Sequence, residues 1–152
     1  MLKTLLLHPQ ILAALAGAGH GSLVLVADGN YPASTSRGPN VAMVHLNLRP
    51  GVVDAVTIVD ALAQSVPVEE ALVMAPMAQG AYAMADEPPI WAEFAAALAR
   101  GGSPMPLQQV DRMAFYDLVA TPQVALVVVS GDTRLYGNLL LRIGVRNDGR
   151  WR

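Results

Sequence analysis

The residues best suited to acid–base chemistry flank one short apolar run. His20 lies between two glycines just before the run at residues 23–26, and Asp28 follows that run. Flanking glycines free the backbone and leave space for a ligand around the imidazole. A carboxylate that hydrogen-bonds to one ring nitrogen fixes the tautomer and favours the imidazolium form. This pattern predicts proton transfer to and from a small polar molecule.

Both side chains also have an ordinary structural interpretation. His20 fits a residue that interacts with the end of a preceding helix. Asp28 before Gly29 fits a turn in which the carboxylate accepts a backbone hydrogen bond. If the apolar run is an extended strand, the two groups lie roughly 20 Å apart at about 3.3 Å per residue. A direct contact then requires either a glycine turn that folds back or a neighbouring subunit.

A second group of candidates lies near the carboxyl end of the chain. Arg112 and Tyr116 are four residues apart, so they share one face of a predicted helix. In the triplet Tyr136-Gly137-Asn138, the amide offers a donor and an acceptor that suit sugar hydroxyls. The glycine would let the backbone approach a ligand closely. Spacing alone, however, favours an amphipathic helix and a turn before a strand.

The remaining histidines have structural roles in this interpretation. His8 precedes Pro9 at a predicted helix start, where helix capping or simple exposure is expected. His45 lies within a predicted strand, where a partly buried, hydrogen-bonded position in the core is expected. The chain lacks cysteine, a phosphate-binding glycine loop, a dinucleotide fingerprint, a G-x-S-x-G nucleophile elbow and metal-ligand spacing such as H-x-x-x-H. These absences argue against thiol, nucleotide and metal chemistry.

Hydrophobic periodicity predicts strands that alternate with helices. The predicted helices cover residues 9–16, 53–64 and 109–119, with another that starts at Pro89 and ends before Gly101; the predicted strands cover residues 22–27, 41–48, 71–75, 124–129 and 139–143. Residues 77–88 lack a period and predict an irregular connection. Strands that are apolar on both faces indicate an α/β layered fold, with a central, mostly parallel sheet covered by helices.

Length and composition limit the domain number, the oligomeric state and the partners that the chain can have. The 152 residues predict one domain over residues 1–146 and a disordered tail over residues 147–152. Only 14% of residues are charged, which is low for the surface of a single small domain and favours a homo-oligomer, although alanine enrichment from a GC-rich genome would also lower that share. The absence of basic runs argues against nucleic acid. The apolar runs are too short to span a membrane, and a cytoplasmic location is expected.

Five segments in order resemble the D-ribose pyranase and L-fucose mutarotase family. Each segment is weakly specific alone, but their order and spacing extend over nearly the whole chain. The matching segments are Gly19-His20-Gly21, Ala27-Asp28-Gly29-Asn30-Tyr31-Pro32-Ala33, Glu87-Pro88-Pro89-Ile90-Trp91, Arg112-Met113-Ala114-Phe115-Tyr116 and Tyr136-Gly137-Asn138-Leu139, before a final Gly144-Val145.

The resemblance implies an enzyme that exchanges the anomeric or ring forms of a free monosaccharide without a cofactor. It also implies ring-shaped homo-oligomers, often decamers, with sites at subunit borders. The residue roles that it implies are His20 as the proton donor, Asp28 as a sugar-binding carboxylate that also takes part in catalysis, Arg112 as a sugar-binding arginine, Tyr116 as an aromatic residue that assists proton transfer, and Tyr136, Gly137 and Asn138 as a sugar-binding segment.

The Arg112-to-Tyr116 motif and the Tyr-Gly-Asn triplet are more similar to fucose mutarotases than to ribose pyranases. Tyr31 departs from the phenylalanine that is usual in the family, and residues 121–123 add to the connection before the last strands. Because the two motifs are those of the fucose branch, L-fucose is the expected sugar. Two other classes of function stay open: a non-catalytic sugar-binding or transport-associated module, and a purely structural ring subunit.

Overall fold

The computed structural model describes residues 1–147, which form four helices and six strands. The helices are α1 (Pro9–Gly17), α2 (Ala55–Ala63), α3 (Pro89–Arg100) and α4 (Arg112–Val119). The strands are β1 (Leu23–Ala27), β2 (Ala42–His45), β3 (Val68–Met74), β4 (Gln108–Val110), β5 (Val124–Val129) and β6 (Leu139–Ile143). Within residues 1–147, no helix combines the length and apolar character needed to cross a bilayer. Apart from Asn147, the predicted tail lies outside the described residues.

The strands form one sheet in the order β2-β5-β1-β6-β3-β4. Pairing is parallel between β2 and β5, β5 and β1, and β3 and β4, whereas β6 runs antiparallel to both of its neighbours. Five strands therefore point in one direction and β6 points in the other, which confirms the predicted mostly parallel sheet. The reversed strand matters for the site, because its beginning meets the ends of β1 and β3.

Helices cover both faces of the sheet. In β1, Val24 and Val26 pack into one core cluster together with α1, α2 and α3, which contribute side chains such as Phe94. The alternate residues of β1, including Leu25, pack into a second cluster with Phe115 of α4. This alternation follows from the two-residue period of a strand and explains why the whole of β1 is apolar.

Two predicted elements start three residues away from their predicted positions, and the predicted strand over 41–48 is shortened to Ala42–His45; the other bounds differ by at most two residues. The predicted helix over 109–119 is wrong at its start, because Gln108–Val110 pairs with β3 as the edge strand β4. Helix α4 then starts after Asp111, whose carboxylate accepts hydrogen bonds from the N–H groups of Met113 and Ala114. Strand β3 starts at Val68 rather than at residue 71, so two glutamates belong to it.

The prediction that His45 is partly buried and hydrogen-bonded in the core is wrong. Strand β2 ends at His45, and this side chain is exposed, whereas its neighbour Val44 is buried. The two residues point to opposite faces because side chains alternate along a strand. The strand lies at the edge of the sheet, where the face occupied by His45 is open to solvent.

Candidate active site

A cavity of about 320 Å³ lies at the carboxyl edge of the parallel strands. It forms where the ends of β1 and β3 meet the beginning of β6, the first turns of α4 and the irregular connection at 77–88. Ligand sites in open α/β sheets commonly lie at this edge. The lining residues are Asp28, Asn30, Tyr31, Met74, Met77, Tyr82, Arg112, Tyr116, Leu135, Tyr136 and Asn138.

Asp28 is the buried carboxylate of this cavity, with only 4% of its surface exposed. Its Oδ1 accepts a hydrogen bond from the N–H of Asn30 at 2.9 Å, which is the turn predicted as the structural alternative. Its Oδ2 accepts from the side-chain amide of Asn138, also at 2.9 Å. The structural and the functional interpretation of Asp28 are therefore compatible, because the turn orients the carboxylate toward the cavity.

Burial raises the pKa of Asp28 above its ordinary value. Hydrogen bonds from the backbone of Asn30, Tyr31 and Gly137, and from the side chain of Asn138, lower the pKa but do not cancel the cost of desolvation. A carboxylate whose pKa is raised toward neutrality is a better proton acceptor at neutral pH than an exposed aspartate.

Asn138 is a partner of Asp28 more than a free sugar-binding amide. Its Oδ1 accepts from the N–H of Asp28 at 2.9 Å while its Nδ2 donates to the carboxylate. The single nitrogen of this amide carries two hydrogens, so one N–H remains for a ligand. Gly137 has a similar supporting role, because a Cβ there would lie 3.3 Å from the Cβ of Asp28.

Tyr136 holds the irregular connection at residues 77–88 against the cavity through hydrogen bonds. Its hydroxyl donates to the carbonyl of Tyr82 at 2.6 Å and accepts from the N–H of Met77 at 2.9 Å. Its own carbonyl accepts from the indole of Trp91, and its backbone adopts a φ of 59°, an uncommon value for a residue other than glycine. The hydroxyl is thus engaged by the protein, and Tyr136 shapes the cavity wall.

Arg112 and Tyr116 share the cavity-facing side of α4, as their spacing predicts. The guanidinium of Arg112 lies 5.9 Å from the centre of the Tyr116 ring, and its Nη1 donates to the sulfur of Met77 at 3.2 Å. The Tyr116 ring stacks on Tyr31 with the ring centres 5.5 Å apart. Burial raises the pKa of Tyr31 to about 12, so this phenol stays protonated at neutral pH. Together they form an aromatic and cationic wall that suits a hydroxyl-rich ligand.

His20 lies outside this cavity. It precedes β1 whereas Asp28 follows it, and the strand between them rises by about 13 Å, so the glycine turn does not bring the pair together within one chain. The Nε2 of His20 instead contacts both carboxylate oxygens of Glu69, at 3.0 and 3.1 Å. The last turn of α1 is closed by the backbone N–H of Ala18, which donates to the carbonyls of Ala14 and Leu15.

A second, more open cavity of about 660 Å³ surrounds His20 at the opposite edge of the sheet. Polar side chains and the end of α1 line it. They include His20, Ser22, Asn40, Gln123 and Arg142. Residues 121–123, where the sequence predicts added residues, lie in the turn between α4 and β5 beside it, and the side-chain amide of Asn40 donates to the carbonyl of Pro122.

Sequence reasoning missed three contributors to these two cavities. Glu69 is not among the sequence candidates, because the predicted strand begins two residues after it; the adjacent glutamates before the apolar run are the signal that could have indicated it. Met77 and Tyr82 fall in the irregular connection, where no periodicity indicates which side chains face inward. Their positions depend on the hydroxyl of Tyr136, which is more than fifty residues away along the chain.

Comparison with known proteins relates nearly the whole chain to one family. The model of the RbsD / FucU transport protein family matches residues 1–146. A human protein named fucose mutarotase is 33% identical over 147 residues, which cover 92% of this chain and 90% of the human protein. The chain also resembles the solved structure of FucU from Bifidobacterium longum, with a TM-score of 0.73 and 28% identity over 92% of this chain and 95% of that one.

A third comparison concerns the fold alone. The fucose mutarotase of Streptococcus pneumoniae, solved in complex with L-fucose, has a TM-score of 0.72 and 22% identity, over 92% of this chain and 94% of that one.

Proposed function

The chain belongs to the RbsD / FucU transport protein family, and we propose that it is a monosaccharide mutarotase acting by general acid–base catalysis. The observation that carries the proposal is the buried carboxylate of Asp28, held by Asn138 in a sugar-sized cavity beside Arg112 and Tyr116. Its relatives include a fucose mutarotase that matches over nine-tenths of both chains.

The proposed reaction opens and recloses a cyclic sugar. The anomeric hydroxyl gives its proton to a base as the bond between the anomeric carbon and the ring oxygen breaks, and an acid protonates the ring oxygen. The open aldehyde rotates about the adjacent carbon–carbon bond, and the reverse steps close the ring as the other anomer. No electrons are gained or lost overall, so the proposed chemistry needs a proton donor and a proton acceptor and no cofactor.

Asp28 is the proposed acceptor for the anomeric proton and an anchor for sugar hydroxyls. Its raised pKa suits proton transfer near neutral pH. Arg112 provides donors for sugar oxygens, and the phenol of Tyr116 can bind a hydroxyl or relay a proton. Met74, Met77 and Leu135 add apolar surface to the same cavity, which suits the C6 methyl of a 6-deoxy sugar. We therefore propose L-fucose as the substrate, as in the named relatives.

His20 is the proposed acid, supplied by a neighbouring copy of the chain. Its ring Nε2 lies 3.0 Å from Oε1 of Glu69, so a carboxylate is in contact with the imidazole. The separation of the two edges within one chain supports a site shared between copies, and so does the exposed apolar surface of Leu2, Leu5 and Leu7. A ring-shaped homo-oligomer and a cytoplasmic location remain predictions.

The proposal is tested by saturation-transfer NMR of anomer exchange in L-fucose, D-ribose and D-galactose, with and without the protein. Acceleration is expected, greatest for L-fucose, and His20→Ala should reduce it by about 10²–10⁴-fold. His45→Ala is the matched control, because this exposed histidine lies away from both cavities and should leave exchange unchanged.

Two other outcomes would refute the proposal. Saturable sugar binding without acceleration would identify a binding or transport-associated module. A chain that neither binds nor accelerates any of the three sugars would be a structural subunit. Full exchange by His20→Ala would refute the role of that histidine alone.

A further inference from the structure

Strand β3 contains one extra residue where it pairs with β6. Val68 lies opposite Ile143, but Glu70 lies opposite Arg142, so Glu69 has no partner of its own in the ladder. Such a β-bulge leaves one residue unpaired and changes the direction of its side chain. Adjacent residues of a strand normally point to opposite faces. The bulge therefore explains how Glu69 and Glu70 can both reach cationic partners at one edge of the sheet.

The two carboxylates of the bulge have different cationic partners. Glu69 contacts Nε2 of His20 at 3.0 Å. Glu70 accepts from Nε of Arg142 at 2.7 Å, and Nη1 of the same arginine donates to the carbonyl of Gly21 at 3.3 Å. Arg142 thus binds Glu70 and also the turn that carries His20, in which Gly21 adopts a φ of 81°.

Arg142 and His20 line the same open cavity and are the ionisable residues among its described lining. Glu69 from β3 is in direct contact with His20, and Arg142 from β6, which lines the same cavity, forms an ion pair with Glu70. Because Glu70 is held at 2.7 Å by a guanidinium, a single carboxylate remains for the histidine.

We propose that Arg142 is a positioning residue. It pairs with Glu70 and holds the turn of His20, so that Glu69 alone pairs with the proton-donating histidine. The inference rests on the proposed function for its catalytic meaning and on the contacts of the bulge for its structural content. Arg142 touches neither Asp28 nor the cavity in which we propose the sugar binds. Its effect passes through His20.

Removal of the guanidinium has a definite electrostatic sign. In Arg142→Met, Glu70 becomes an unpaired carboxylate next to Glu69 in the strand, and a positive charge on the wall of the His20 cavity is lost. Both changes favour the protonated imidazole. A general acid must be protonated to act, so exchange should persist to higher pH before it declines. We expect the alkaline limb of the exchange rate to move up by about 0.5 pH unit, a modest shift because the groups are partly exposed to solvent.

The experiment records two quantities in Arg142→Met and in the unaltered protein. One is the pH profile of anomer exchange; the other is the NMR titration of the His20 ring proton, assigned with His20→Gln, which needs no turnover. Both midpoints should move to higher pH, while the dissociation constant of the sugar stays the same. Arg100→Met is the matched control, since it removes an exposed ion pair with Asp60 elsewhere in the molecule.

Two further variants keep the test decisive. Arg142→Lys retains the charge and should restore a midpoint near that of the unaltered protein. The double variant Arg142→Met/Glu70→Gln should return most of the shift, because it also removes the freed carboxylate. Midpoints that match those of Arg100→Met would overturn the inference. A shifted ring titration in a protein that never accelerates exchange would instead refute the proposed function and leave the role of Arg142 intact.

Discussion

Asp28 and Asn138 satisfy one another's hydrogen-bonding groups, so the chemistry of the carboxylate depends on the amide. The amide donates to Oδ2 and accepts from the backbone N–H of Asp28. The donation lowers a pKa that burial raises. The neighbouring amide therefore tunes the proton affinity of the aspartate, besides any contact that it makes with sugar.

Asn138→Ala should change both pH dependence and stability. Without the amide the pKa of Asp28 rises further. Because a general base acts only when it is ionised, the acid limb of the exchange rate should move to higher pH. The unpartnered buried groups should also lower the free energy of unfolding by about 1–3 kcal/mol. The pH profile of exchange and urea denaturation measure the two effects. Gln64→Ala, which removes an exposed hydrogen bond from the side-chain amide to Asp60 and lies outside both cavities, should produce neither effect. Equal behaviour of the two variants would contradict the prediction.

At the scale of residues, the sequence predicts which side chains are near the site better than what each one does. The spacing of Arg112 and Tyr116 is enough to place them on one helical face. The roles of Tyr136 and Asn138 could not be predicted, because their partners are 54 to 110 residues distant in the chain. Such long-range hydrogen bonds follow from the topology of the sheet and leave no local pattern.

The loop between β5 and β6 connects the site to helix α2. Asp132, which is 3% exposed, accepts from the N–H of Ala55 at the start of α2 and from the guanidinium of Arg134 at 2.7 Å. Its backbone carbonyl accepts from the N–H of Gly29, directly after Asp28. Asp132 thereby fixes the loop against α2 through its carboxylate and against the turn after Asp28 through its backbone carbonyl.

Asp132 should stabilise the protein in a pH-dependent manner. Burial alone raises its pKa, but hydrogen bonds from Arg134 and Ala55 outweigh burial, and the net pKa is below the ordinary value. A carboxylate with a lowered folded-state pKa contributes stability above its unfolded-state pKa and loses it as the pH falls through the folded-state value. We expect Asp132→Asn to cost about 1–3 kcal/mol at pH 7, with the difference from the unaltered protein shrinking below about pH 4.

Urea denaturation at a series of pH values measures this effect. Asp60→Asn removes a carboxylate whose arginine partner is more than half exposed, so its cost should stay under about 1 kcal/mol. If both variants lose the same free energy at every pH, Asp132 has no special role in joining loop and helix.

At the scale of elements, most strands and helices follow from local periodicity. The runs at 124–129 and 139–143 have the bounds that were predicted. Strand β4 was mistaken for a helical turn because three residues are too few to show alternation, and their pairing with β3 decides their conformation. The bulge at Glu69 is equally hidden, since it is a property of the β3–β6 register and not of either strand alone.

The molecule as a whole carries its proposed acid and base at opposite edges of one sheet. A complete site would then combine His20 of one copy with Asp28 of another. In a co-expressed one-to-one mixture of His20→Ala and Asp28→Asn chains, random assembly gives about a quarter of the sites both functional residues. The mixture should therefore recover about a quarter of normal exchange, measured by saturation-transfer NMR, although each variant alone is nearly inactive.

Separately purified and unmixed assemblies of the two variants serve as the control. If co-expression yields no more exchange than the sum of these assemblies, the residues do not act across copies. This outcome would leave the sugar cavity around Asp28 as it is, but would require another proton donor within the same chain.

The reversed direction of β6 has a consequence for how the chain can vary in length. Asn138 immediately precedes this strand and supports Asp28, and Arg142 lies near its other end and holds the turn of His20. The five residues of β6 therefore set the spacing between the cavity of Asp28 and the cavity of His20. Insertions can accumulate in turns such as residues 121–123, but a change in the length of β6 would alter both cavities together.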